Sequence, residues 1–152
     1  MTATARFSSA HGRLPAGANK AGHEPNGEAL YVARARLPSG VHPGKYRADW
    51  KAASVSFGGQ ELWVQDFEVW TGRLSDNSTG VWELFRPGID REAVHVGTED
   101  PLWVLYSARA FHEGGQQLGK WRKDWTAASF PYGGAEIWLT KFEILVPGTL
   151  ID

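Results

Sequence analysis

Cysteine is absent from this 152-residue chain and methionine occurs once. Without a thiol there is no disulfide scaffold, no thiolate metal ligand and no cysteine nucleophile, so a reducing compartment is allowed without being demanded. An excess of charge of either sign is also missing: 16 Lys+Arg stand against 17 Asp+Glu, a formal net charge of -1. Binding to a polyanion draws on surplus basic residues gathered on one face, so neither nucleic acid nor an anionic membrane surface is expected as a partner. No apolar run approaches the roughly 20 residues that span a bilayer, and Met1 to Ala10 lacks the basic start and apolar stretch of a secretory leader. The expectation is a chain that does not insert into a membrane and is cytoplasmic or secreted without a leader. Helical patterning is scarce too. The chain holds 18 Gly and 8 Pro, and no long window shows a capped 3.6-residue period.

What the chain does have is a duplication. The segment Gly22 to Trp70 aligns without a gap onto Gly97 to Leu145 at an offset of about 75 residues, with about 22 of the 49 positions identical. Each copy reads as short strands with period-two alternation: ALYVARA (Ala29 to Ala35) and ELWVQDFEVW (Glu61 to Trp70) in the first, PLWVLYSARA (Pro101 to Ala110) and AEIWLTKFEILV (Ala135 to Val146) in the second. Phe57 and Tyr132 each lead into a paired glycine, Gly58-Gly59 and Gly133-Gly134, which predicts hairpin turns. The predicted fold is all-β, two tandem pseudo-symmetric antiparallel β repeats packed as one compact unit. The repeats are assigned to residues 1–75 and 76–152, with the polar stretch Thr71 to Gly80 as the surface link. Asn77-Ser78-Thr79 within that link matches a glycosylation acceptor only by chance when no export signal precedes it.

A core needs shape but not charge, so polar residues retained in both copies are the informative ones. They include Glu24 and Glu99, Arg34 and Arg109, Lys45 and Lys120, Arg47 and Arg122, Asp49 and Asp124, Ser54 and Ser129, Glu61 and Glu136, and Glu68 and Glu143. Arg34 and Arg109 lie among small strand residues and are expected to form internal salt bridges to a repeated carboxylate such as Glu61, Glu68 or their copies. Asp49 and Asp124, each before a Trp, suit local turn hydrogen bonds. Trp63 and Trp138, on strands, are expected in the core. Glu24 and Lys45 differ: AGHEPNG and VHPGK read as exposed loops flanking one hairpin, and the second copy presents Glu99 and Lys120 likewise. A carboxylate beside an ammonium, with Trp or Tyr nearby, suits a sugar: the acid accepts from hydroxyls, the cation donates, and an aromatic face covers C–H groups. His23, Asp49 and Asp124 are candidate additional contacts.

The strings AGHEPNGEALYVARA, HPGK and AASVSFGGQELWVQDFEVW resemble the DM-nine repeat family. A copy in that family pairs an acidic loop, an L-Y-V-A-R-A-like strand, a P-G-K turn and an F-G-G-x-E segment. The resemblance covers most of the chain and implies β-rich tandem repeats, some members being mannose-binding lectins that recognise high-mannose glycans and microbial surfaces. It places the acidic role on Glu24 and Glu99 and the lysine role on Lys45 and Lys120. The second copy departs from the pattern, with Leu118 before Gly119-Lys120, and the usual K-E-H triplet reads Gln60-Glu61-Leu62 and Ala135-Glu136-Ile137.

The function implied is a multivalent lectin for mannose-type glycans, not an enzyme, for which a homodimer would add further sites. A glycosidase would need two carboxyls about 5 to 9.5 Å apart with one raised in pKa. Glu24 with Asp49 could be named, but a duplicated catalytic pair is a poor design. The remaining alternative is a protein-interaction or assembly module without a sugar ligand, pairing through Trp-rich edges. No metal or cofactor is expected: His11, His23, His42, His95 and His112 have no counterparts at the repeat offset, and no nucleotide or serine-hydrolase motif occurs.

Overall fold

The structure, a computed structural model, describes residues 5–10, 13–74 and 79–148. Its first seven strands are β1 (Ala5–Ala10), β2 (Gly22–His23), β3 (Ala29–Leu37), β4 (Gly40–Tyr46), β5 (Ala53–Phe57), β6 (Gln60–Val64) and β7 (Phe67–Leu74). The second seven are β8 (Gly80–Leu84), β9 (Gly97–Glu99), β10 (Trp103–His112), β11 (Gly115–Trp121), β12 (Ala128–Tyr132), β13 (Ala135–Leu139) and β14 (Glu143–Pro147). One 3-10 turn, Ile89–Arg91, interrupts them. The architecture is all-β, and β8 to β14 repeat β1 to β7 in order and in pairing.

Within the first half β3 pairs with β2, β4 and β7, and β7 with β1; within the second β10 pairs with β9, β11 and β14, and β14 with β8. The halves are stitched by crossed pairings. β2 lies against β11 of the other half, β9 lies against β4, and β6 meets β13. Because β3 and β4 also pair, the strands β3-β2-β11-β12-β13-β6-β5-β4 close into an antiparallel barrel, with the remaining strands appended. Glycine permits the stitching. A methyl on Gly22 would overlap the Gln116 carbonyl, and one on Gly97 would overlap that of Val41, so neither crossed strand could approach with a side chain in that place.

Both faces of β3 are covered, where the alternation alone suggested one apolar face. Leu30 and Val32 enter a cluster shared by the halves with Trp70, Val96, Leu118 and Leu145. Ala33 and Ala35 turn the other way, into a first-half cluster with Tyr46, Phe67 and Val69. The second half has the matching cluster of Ala108, Ala110, Trp121, Phe142 and Ile144.

Three expectations are revised. ELWVQDFEVW is two strands rather than one: Gln65 and Asp66 break it, and the phase of the alternation resets there. Leu62 and Val64 therefore face the core, while Trp63 is 53% exposed and Trp138 is 48% exposed instead of being core residues. Thr71 to Leu74 continues β7 rather than forming a link, and Asn77 and Ser78 of the acceptor triplet lie outside the described residues. The paired glycines do form the turns, with φ of 62° and 86° at Gly58 and Gly59, and 61° and 88° at Gly133 and Gly134.

Candidate functional site: two lysine clusters between the halves

The segment VHPGK, expected as an exposed loop, lies within strand β4, and Lys45 is 3% exposed; Lys120, on β11, is 1% exposed. Pro-Gly signals a turn in isolation. Here Pro43 stands opposite Arg34 and Gly44 opposite Ala33 in the β3–β4 ladder, so the ladder overrides the local preference. Gly44 also lets β5 come close, since a methyl there would overlap the Ser54 carbonyl; Gly119 does the same for Ser129. Lys45 pairs with Ser54 across that approach and Lys120 with Ser129.

Each lysine reaches across into the other half. Lys45 Nζ donates to Gln117 Oε1 at 2.7 Å, and Gln117 Nε2 donates to Glu24 Oε1 at 3.1 Å, so one buried amide of the second half joins the cation and carboxylate of the first. The Lys45 ammonium also lies 5.3 Å from the Tyr132 ring centre and 5.9 Å from that of Trp50. In the mirror arrangement Lys120 Nζ donates to His42 Nδ1 at 2.7 Å and to the Ser56 carbonyl, and lies 5.5 Å from the Phe57 ring centre. His42 occupies the position equivalent to Gln117. Its Nε2 meets Ser39 Oγ at 2.8 Å, which fits the tautomer carrying its hydrogen on Nε2.

Burial sets the protonation of these groups. Lys45 is pushed below the ordinary lysine value by loss of solvent, an effect opposed by Glu61 and Glu24 and reinforced by Arg47. Lys120 is lowered to about 8 for the same reason, with Glu136 and Glu99 opposing. His42 is lowered to about 3, first by burial and then by the neighbouring Lys120 charge.

Above each lysine sits a rim. Arg47 binds Glu24 at 3.2 Å, Glu28 at 3.3 Å and Asp49 at 2.6 Å, and lies 5.0 Å from the Trp50 ring centre. Arg122 binds Glu99 at 2.9 Å and Asp124 at 2.6 Å, with the Trp125 ring at 5.1 Å. In place of Glu28 the second rim carries Trp103, whose ring centre lies 4.5 Å from the Arg122 guanidinium. Each arginine holds its aspartate, Asp49 or Asp124, below the usual carboxylate range by hydrogen bonding. The side chains of Glu24 and Glu99 remain 16% and 14% exposed. Beside them Trp63 meets Trp50 edge-on at 4.9 Å, and Trp138 meets Trp125 at 5.1 Å.

The predicted residues thus fall as follows. Glu24 and Lys45 come together at one amide. Glu99 and Lys120 share a cluster, with no residue joining them as Gln117 joins the first pair among the hydrogen bonds of the described residues. His23 lies on β2 with its Nδ1 2.9 Å from the Glu24 carbonyl. Asp49 and Asp124 are local partners of the arginine two residues earlier, as expected of turn residues. Arg34 and Arg109 form the anticipated internal bridges, to Glu68 and Glu143 at 2.9 Å each. Gln117 and His42 were missed because they differ between copies, and the rim roles of Arg47 and Arg122 because only their duplication marked them. Among the described residues no group of His, Asp or Glu side chains is arranged to hold a metal ion.

Comparison with solved structures finds the nematode sperm cell motility protein MFP2B, with a TM-score of 0.67 and 17% identity over 100% of this chain and 50% of that one. The likeness establishes a shared all-β fold, and the chain spans half the length of that neighbour. No curated protein matches the sequence. The DM9 repeat profile matches residues 5–64 and 24–139. With most of its length matched, the chain belongs to the DM9 repeat family.

Proposed function

We propose that this protein binds carbohydrate without turning it over, taking mannose-type glycans at two related sites centred on Glu24 and Glu99, with residues 1–75 and 76–152 each supplying one rim. One observation carries the reading: at equivalent places on the two halves, a carboxylate tied to an arginine lies beside a tryptophan pair whose outer member, Trp63 or Trp138, is exposed. Carboxylate oxygens accept from vicinal hydroxyls, a guanidinium edge donates to them, and an indole face covers the C–H side of a ring. Lys45 and Lys120 act from beneath. At 3% and 1% exposure they lie beneath the rims rather than open to solvent, and each needs the opposite half for its partners. Single monosaccharide sites are weak, near millimolar or about 4 kcal/mol, so two per chain would gain their strength on multivalent surfaces by avidity.

Titration calorimetry with methyl α-mannoside, together with agglutination of mannan-coated beads, tests the reading. Glu24→Gln and Glu99→Gln are each expected to remove one of two sites, and the double variant to lose both binding and agglutination. Binding that persists in the double variant overturns the site; absence of any glycan binding by the parent protein returns the chain to the assembly-module reading.

A further inference from the structure

A second duplicated feature lies away from the lysine clusters and shares no residue with them. In the second half a cleft of about 500 Å³ opens beside the Arg109–Glu143 bridge; the first half has its counterpart, about 210 Å³, beside Arg34–Glu68, adjoined across Arg34, Arg36, Val41 and Glu68 by a further cavity of about 360 Å³. The two clefts are lined by the same eight positions of the repeat. Four are retained: the arginine, the glutamate, a small residue (Ala35 and Ala110) and a buried phenylalanine (Phe67 and Phe142). Four have diverged. Ser9, Arg36, Val41 and Asp66 in the first cleft become Leu84, Phe111, Gln116 and Lys141 in the second.

Two of the changes make the second cleft more apolar, one reverses a charge, and the fourth, Val41 to Gln116, adds a polar group. An arginine and a serine give way to Phe111 and Leu84, which are 74% and 63% exposed, while the acid Asp66 gives way to a lysine. Exposed apolar side chains lining a concavity are the unusual feature, since scattered ones need no explanation but a walled cluster does. The charge balance is also decided. Glu143 receives two hydrogen bonds from Arg109, at 2.9 and 3.1 Å, and those two charges cancel. Lys141 is exposed, with no carboxylate partner among the described residues, and is the surplus charge of the cleft.

We infer that this cleft is a binding site for a small amphipathic anion: one carboxylate or sulfonate set against Lys141, and an aromatic or aliphatic body against Phe111, Leu84 and Phe142. Its volume lies in the range of small-molecule sites, about 300 to 1,000 Å³, and an enclosing apolar wall with one oriented charge is how such sites are built. The first-half cleft, lined by Arg36 and Asp66 in place of Phe111 and Lys141, is the internal control and takes no such ligand.

The probe is 8-anilinonaphthalene-1-sulfonate, with uncharged N-phenyl-1-naphthylamine as its comparison. The parent protein is expected to bind one sulfonate per chain with a saturable, blue-shifted fluorescence. Phe111→Ser, which removes the ring without adding charge, is expected to weaken both dyes by about tenfold or more. Lys141→Asp is expected to weaken the sulfonate by about fivefold while leaving the uncharged dye within about twofold. Both positions are exposed, so the thermal midpoint holds and a loss of signal reports the site. Undiminished sulfonate binding in both variants overturns the inference. So does a concentration-dependent dimer, seen by sedimentation, that disappears in Phe111→Ser, because the occupant would then be a second copy of the chain.

Discussion

The two lysine clusters are built from the same repeat and end differently. In the first, the cation passes through a neutral amide to a carboxylate, Lys45 to Gln117 to Glu24. In the second, Lys120 meets an imidazole that passes only to a hydroxyl, that of Ser39. An amide does not titrate, whereas an imidazole does, and burial beside Lys120 holds this one neutral down to about pH 3. One substitution at an otherwise equivalent position therefore gives the second cluster a titrating centre that the first lacks. What the halves share is steric and what separates them is electrostatic, so the two can be tested independently.

The largest effect is expected where the halves are alike. Gly44→Ala and Gly119→Ala each force a methyl into a carbonyl of the neighbouring strand, and each is expected to cost about 3 kcal/mol in chemical denaturation. A loss confined to one half would show that the close approach of β4 to β5 is not a common requirement.

The next effect separates the halves. With His42 at about 3 in the native state against 6.5 in the unfolded chain, the unfolded state binds the extra proton as pH falls below 6.5. Stability from this group is full above pH 6.5 and declines down to about 3. By linkage the loss amounts to about 2 kcal/mol at pH 5. His42→Gln, which copies the first cluster, is expected to flatten that part of the profile in thermal denaturation between pH 7 and 4; an unchanged slope would contradict the buried neutral imidazole. On the alkaline side Lys120, at about 8 in place of 10.5, is a buried cation whose cost is complete below pH 8 and is relieved as pH rises towards 10.5. Between pH 8 and 9 that relief is about 1 kcal/mol. Lys120→Met should remove it, and NMR titration should then find His42 moved up from about 3 as the adjacent charge disappears.

The smallest effect concerns the rims, where Glu28 and Trp103 occupy equivalent positions beside their arginines. If the proposed sugar sites are correct, Glu28→Trp should tighten the first site for mannosides by about threefold and Trp103→Glu should loosen the second by a similar factor, the worth of an exposed aromatic contact. Calorimetry on single-site backgrounds, Glu99→Gln and Glu24→Gln respectively, measures each alone.

Much of this was legible because it is local or repeated. Alternation marked β3 and β10, the paired glycines marked the turns, and a guanidinium among small strand residues could only be satisfied by a partner such as Glu68 or Glu143. The depth of Lys45 was not legible. Pro-Gly beside it signals a turn, and only the ladder formed with β3, together with the closeness of β5 at Gly44, turns the segment into a buried strand. Trp63 was misplaced because the two-residue break at Gln65 and Asp66 resets the phase, and a period-two pattern carries no information about which of two successive strands sets the inner face. Gln117 and His42 escaped because a search for retained polar residues discards positions that differ, and at those positions the difference is the chemistry.

By itself the sequence determined the all-β class, the duplication and which charged residues recur in both halves, because strand period and turn chemistry act over short range and the repeat is written twice. Tertiary structure alone decided that each lysine is completed by the opposite half and that the divergent residues Phe111, Leu84 and Lys141 gather in one cleft. Those outcomes depend on the crossed pairings of β2 with β11 and β9 with β4, and residues about 57 to 93 positions apart become neighbours only when the barrel closes.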